Sequence, residues 1–299
     1  MKFGRLIVNF LKYTSQKGTD KRRKTYPPIS LFEHRLDIPY INDHNHEHTF
    51  DIFYGDKNKK KNCLIIDIHG GAYIFGDHYD NYPFSFFFTK EGFDVINVGY
   101  RINNGKLSII DQIDDIARCI EYIITHKKEL NIDYPKMVIT GDSAGGHLAL
   151  LFAELINDSG FANELGYQFS NHDLLAVLTN CTVYDFNNIK DNGLSHSGMK
   201  RMFGESYKEV DFAKLCPKTH INSLKAPVFV STCKKDFLRK ESLMLKKDLE
   251  DRNHDFEFLD INSDNKHVGH VHNVLNLDIK ESKEVNQKMI DFINKHLNN

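Results

Sequence analysis

One stretch constrains this chain more than any other: Val138-Ile139-Thr140-Gly141-Asp142-Ser143-Ala144-Gly145-Gly146-His147-Leu148-Ala149-Leu150, where a β-branched run turns into a helical one across a serine bracketed by glycines. A side chain on so sharp a strand-to-helix turn sits in strained backbone geometry, and small neighbours are needed so that strand and helix do not collide. Gly141 and Gly145 supply them. Met137, Val138 and Ile139 read as a buried strand, and 147–156 as an apolar helix. Ser143 is therefore expected at the N-terminus of that helix, where unpaired N–H groups and the helix dipole favour a developing negative charge.

Around this turn, strands alternate with long helices. Residues 35–41, 48–54, 63–68, 94–98, 174–178, 227–230 and 256–259 read as strands, with Gly55-Asp56 and the following lysines as a hairpin turn between the second and third. Ile109, Ile113, Ile116, Ala117, Ile120, Ile123 and Ile124 keep a helical period, and 241–252 and 282–297 read as further helices. Such alternation predicts an α/β fold: a mainly parallel sheet of about eight strands flanked by helices, in one domain spanning 1–299. The irregular stretch after Tyr184 is too long for an ordinary connection and reads as a lid. Phe3, Leu6, Ile7, Phe10 and Leu11 fall at helical spacing and predict an amphipathic helix suited to covering a pocket.

Charge and cysteine usage narrow the class. Charged residues make up 27% and the formal net charge is −2, so bulk electrostatics directs the chain to neither nucleic acid nor a membrane surface. The basic runs Lys21-Arg22-Arg23-Lys24 and Lys59-Lys60-Lys61 are short and read as solvated. No stretch after the N-terminal segment is long and apolar enough to span a bilayer. Cys63, Cys119, Cys181, Cys216 and Cys233 form no C-x-x-C pair, which fits buried free thiols in a cytoplasmic protein. His44, His46 and His48 alternate, as ligands on one strand face would, but their polar context reads as an exposed turn, so no metal and no other cofactor is expected.

The remaining parts of an acyl-transfer site can be located. A serine nucleophile needs a base, the base an orienting carboxylate, and the oxyanion a set of donors. His69-Gly70-Gly71-Ala72-Tyr73 follows a strand, and its glycines leave backbone N–H groups free of a Cβ; Gly70, Gly71 and Ala144 are the expected oxyanion hole. Asp236 lies just past a strand end, where side chains gather at the carboxyl edge of an open sheet. The base comes from the loop after the next strand, where His267, His270 and His272 compete. His270 is preferred because Gly269 permits the loop to fold over the serine.

These motifs, in the order Ser143, Asp236, His270, resemble the α/β-hydrolases, and specifically the hormone-sensitive-lipase-like carboxylesterases. His69-Gly70-Gly71 resembles their oxyanion motif, Gly141-Asp142-Ser143-Ala144-Gly145-Gly146 their elbow, and Tyr100-Arg101 the start of their Tyr-Arg-Leu segment. Ala72 stands in place of the third glycine, as in related esterases and in kynurenine-formamidase-like enzymes, and His270-Val271-His272 replaces the usual His-x-Phe. The resemblance implies hydrolysis of small carboxylic esters through an acyl-enzyme, with a formamide or small-peptide bond, or a non-catalytic receptor, as alternatives. It also implies a cap built from 1–34 and 185–222, a small-molecule ester as partner, and a homodimer as one assembly. His69, Tyr73 and Tyr184 are the expected substrate-binding residues, and Phe75, Tyr79, Tyr82, Phe86, Met199, Met202 and Phe203 are candidate walls.

Overall fold

Along the central strands successive side chains feed opposite faces, and both faces are covered. Ile66, Ile139 and Val177 pack into one apolar cluster, while their neighbours Ile65, Val138 and Ala176 pack into another on the far side of the sheet. The computed structural model describes residues 24–103, 107–132, 134–167, 173–186 and 211–298. Its strands are β1 (His34–Pro39), β2 (Thr49–Phe53), β3 (Leu64–Ile68), β4 (Asp94–Val98), β5 (Met137–Asp142), β6 (Leu174–Asn180), β7 (Val228–Cys233) and β8 (Phe256–Ile261). They form one sheet of eight strands in the order β1-β2-β4-β3-β5-β6-β7-β8. Pairing is antiparallel for β1 with β2 and β2 with β4, and parallel from β4 through β8.

The helices are α1 (Tyr82–Lys90), α2 (Ile109–Thr125), α3 (Ala144–Leu155), α4 (Ser159–Glu164), α5 (Pro217–His220), α6 (Arg239–Asp251), α7 (His272–Leu275) and α8 (Lys280–Leu297). The period read from the sequence is the face that α2 buries: Ile109, Ile113, Ile116, Ile120 and Ile123 are all buried, each side chain contributing about 1.5–3 kcal/mol. A reciprocal cap between Ser108 and Asp111 begins the helix. On the opposite face α8 seats Val285, Met289, Phe292 and Ile293, and α1 seats Phe84 and Phe88. Among the described residues, no helix is long and apolar enough to cross a membrane.

Two expectations are corrected. β2 and β3 do not form a hairpin, because β4 lies between them. The Gly55-Asp56 connection instead passes the start of β4, where the buried Asp94 carboxylate accepts Gly55 N–H at 2.7 Å and Lys60 Nζ at 2.5 Å, and the Tyr134 hydroxyl at 2.7 Å. Tyr82 and Phe86 do not line the cavity over Ser143. They lie on a helix the sequence reading did not anticipate and pack with Phe53 in a third apolar cluster, since a run so rich in aromatics shows no clean period. The expected N-terminal helix and Met199, Met202 and Phe203 fall outside the described residues. Of the expected cap, 24–34, 185–186 and 211–222 are described: Tyr26 donates to the Asp80 carbonyl at 3.0 Å and Phe32 stacks on Phe86 at 4.0 Å.

All five cysteines are free and buried. His147, on α3, is fully buried between the rings of Tyr73 and Phe186, with Nε2 at 2.7 Å from the Leu215 carbonyl. Burial lowers its pKa from 6.5 to about 4, so between those values the unfolded chain binds a proton that the folded chain excludes. Stability from this group is complete above pH 6.5 and lost as the pH falls toward 4, an effect of about 3 kcal/mol at most. Urea melts are expected to fall more steeply over that range for the native protein than for His147→Gln; equal slopes would reject the buried neutral imidazole.

Candidate active site

Parallel pairing brings the carboxyl ends of β3, β5, β7 and β8 to one edge, and the segments leaving that edge carry Gly70, Gly71, Ser143, Asp236 and His270. The turn after β5 is as sharp as its sequence requires. Ser143 has φ 52° and ψ −116°, and its N–H donates to the Asn180 carbonyl at 2.8 Å. A Cβ at Gly145 would stand 2.0 Å from the Ile68 carbonyl, and one at Gly141 2.4 Å from the Gly145 backbone. Strand β3, strand β5 and α3 therefore meet at a distance only glycine permits. Ala144 opens α3, so its N–H has no preceding turn to bond to.

His270 Nε2 lies 3.0 Å from Ser143 Oγ, and His270 Nδ1 lies 2.6 Å from Asp236 Oδ1. Asp236 also accepts the Leu238 N–H at 3.0 Å and the Thr232 hydroxyl at 2.9 Å. Burial pushes the Asp236 carboxyl up, but the hydrogen bond and charge of His270, with the Leu238 N–H and Thr232 hydroxyl, hold it below the ordinary value. An ionised carboxylate only accepts, so His270 carries its proton on Nδ1 and presents Nε2 as an acceptor toward the serine. His267 is exposed, and His272 is buried with Nδ1 3.2 Å from the Gly269 carbonyl. Neither reaches the serine. Gly269 has no positive φ; the left-handed residue of that loop is Val271, at φ 49°, whose N–H points to Cys181 Sγ at 3.3 Å.

The loop after β3 departs from expectation at one residue. Gly70 donates its N–H to Asp142 Oδ1 at 2.9 Å, so that donor is already engaged. Gly71 has φ +126°, and a Cβ there would stand 1.8 Å from the Phe75 carbonyl. Ala72 and Tyr73 also have positive φ. The same Asp142 oxygen accepts Asn81 Nδ2 at 2.9 Å. Burial pushes the Asp142 carboxyl up, opposed by those two donors. Tyr100 stacks on His69 at 4.4 Å and donates to its carbonyl at 2.7 Å. Sequence reasoning missed the bracing roles of Asp142, Asn81 and Tyr100, although Asp142 sits inside the elbow motif.

A cavity of about 270 Å³ opens over Ser143, lined by His69, Gly70, Gly71, Ala72, Phe75, Asn81, Phe237, His270 and Leu275 among others. Phe237 is 75% exposed and packs on the His270 ring at 4.1 Å. Of the expected substrate-binding residues, His69 lines the cavity. Tyr73 is buried against His147 and Phe186, and Tyr184 is buried with its hydroxyl donating to Asp248 at 2.8 Å. Both serve the core beside α3. Phe75 is a wall, and Tyr79 lies outside the cavity in contact with Asp37.

The chain is 25% identical to a protein of Mycobacterium tuberculosis named probable carboxylic ester hydrolase LipM, over 65% of this chain and 49% of that one. It is 26% identical to esterase LipQ of the same organism, over 58% of this chain and 42% of that one. The chain thus spans less than half the length of either relative. Among solved structures, esterase B from Lactobacillus rhamnosis inhibited by a tributyrin phosphonate superimposes with a TM-score of 0.89 at 21% identity, covering 100% of this chain and 96% of that one. A truncated carbohydrate esterase from gut microbiota gives 0.74 at 19% identity, covering 91% and 99%. The shared architecture is the α/β-hydrolase fold. The BD-FAE family model matches residues 50–249, more than half of the sequence, and the chain belongs to that family.

Proposed function

We propose that this protein is a serine hydrolase of small carboxylic esters. The observation that carries the reading is the continuous connection from Ser143 Oγ through His270 to Asp236, at 3.0 and 2.6 Å, beneath a cavity of about 270 Å³. The names of the relatives, a probable carboxylic ester hydrolase and an esterase, support it. Ser143 Oγ attacks the ester carbonyl as His270 Nε2 takes its proton, and Asp236 steadies the imidazolium. The N–H groups of Gly71 and Ala144 receive the oxyanion; Gly70, committed to Asp142, acts by holding the loop. Collapse of the tetrahedral intermediate expels the alcohol, which takes its proton from His270. Water, activated by the same imidazole, then releases the acid from Ser143.

Asp142 is the positioning residue of this arrangement, because one carboxylate oxygen holds the oxyanion loop and the turn beyond it together. Ser143→Ala is expected to reduce turnover of p-nitrophenyl acetate by at least about a thousandfold and to abolish labelling by a fluorophosphonate, with an unchanged melting curve. Retained turnover or labelling would reject the reading. Asp142→Ala is expected to lower kcat about a hundredfold through loop displacement, with little change in KM. Asp142→Asn keeps the accepting oxygen and is expected to retain most activity; equal losses in the two variants would dismiss the positioning role.

A further inference from the structure

Outside the cavity over Ser143, the chain assembles a second group of chemically active side chains that the proposed reaction does not use. The three alternating histidines separate. His48 is buried, with Nδ1 at 2.7 Å from Asp43 and Nε2 at 3.3 Å from Asp115, and Arg101 braces Asp115. His46 turns the other way and meets Asp37, in β1, and His78, in the turn that follows the oxyanion loop. Asp37, His46 and His78 each offer one ligand atom, all within 4.8 Å of one another.

We propose that Asp37, His46 and His78 form a binding site for a divalent transition metal of the zinc type, which clips β1, the turn His46–His48 and the turn His78–Asn81 together. Four observations carry it. First, the spacing suits the ion: ligands about 2.0–2.1 Å from a tetrahedral zinc stand roughly 3.3 Å apart. Here His46 Nδ1 is 3.5 Å from Asp37 Oδ1, and the ligand atoms of Asp37, His46 and His78 all lie within 4.8 Å of one another, so small side-chain shifts bring them around one ion. Second, His78 is about 1% exposed and its Nε2 makes no hydrogen bond. Asp51 Oδ2 stands 3.0 Å away, but it accepts the Tyr82 hydroxyl, and Asp51 Oδ1 accepts the Asp37 N–H at 2.6 Å.

Third, Asp37, Asp51 and Asp77 surround two imidazoles, so the formal charge is −3 with the rings neutral and negative even with both protonated. A dication compensates what the protein leaves unbalanced. Fourth, an outer shell is in place. Asp77 Oδ1 stands 3.1 Å from His78 Nδ1 and orients the ring, whose Nε2 makes no hydrogen bond, and the Tyr79 hydroxyl donates to Asp37 at 2.7 Å. The side chains of Asp37 and His46 are 57% and 46% exposed, which gives the ion a path in. The site sits three residues from Asn81, whose amide reaches Asp142, so its role is to steady the turn beyond the oxyanion loop.

The test uses the full chain after removal of metal with a chelator, and zinc ion alone as the probe. Competition against a chromophoric chelator is expected to give one tight zinc per chain, with a rise in Tm, and cobalt(II) in its place is expected to give the visible absorption of a tetrahedral site. His46→Ala and Asp37→Asn alter exposed side chains, so both variants are expected to fold, and each is expected to weaken zinc by about tenfold or more. His44→Ala is the control and is expected to bind as the native protein does. No tight zinc, or binding that His46→Ala and Asp37→Asn leave intact, or an equal loss with His44→Ala, would overturn the site.

Discussion

The structure depends on one close approach. Helix α3 lies so near strand β3 that a single added methyl at Gly145 would meet the Ile68 carbonyl at 2.0 Å. Because the helix is drawn against the sheet there, the backbone at Ser143 is forced to positive φ, and its side chain is lifted clear of both elements. Burial on both faces supplies the free energy that holds this strain. The isoleucines of α2 and the apolar face of α8 leave the sheet no freedom to relax around the turn.

Parallel strands then turn a local strain into a site. Six of them end at one edge, so residues far apart in sequence arrive beside a single hydroxyl with no element dedicated to bringing them there. What each loop adds is a set of hydrogen bonds that fix its own shape. Asp236 is held by Thr232 and Leu238 before it meets His270. The loop after β3 is fixed by Tyr100, Asp142 and Asn81. Pre-arranged dipoles of this kind need no reorganisation when charge develops.

Much of this was legible in the sequence, for definite physical reasons. The elbow is written in residue size, and α2 in the spacing of its isoleucines. The strand ends mark where Asp236 and His270 belong. Other features were out of reach. Nothing local reveals that β4 inserts between β2 and β3, since strand order is set by which edges remain open when the helices pack. The glycine argument for His270 rests on a feature the loop lacks, because Val271 and not Gly269 takes the left-handed conformation. Gly70 was assigned a free N–H because a motif lists residues, whereas the engagement of a donor depends on a carboxylate 72 positions away. Tyr73 and Tyr184 illustrate the same limit: an aromatic near a motif is more often core than cavity wall.

The burial of every thiol has an experimental use unrelated to chemistry at the serine. None of the five meets solvent in the closed molecule, and burial pushes Cys63 up to about 12, so an alkylating reagent is consumed only when some part of the protein opens. The cysteines are spread across distinct regions: Cys119 lies within α2, whereas Cys181 is tied to the loop that carries His270. Peptide-resolved rates of alkylation would thus time the breathing of the base-bearing loop separately from that of the helical layer, with no label introduced by design.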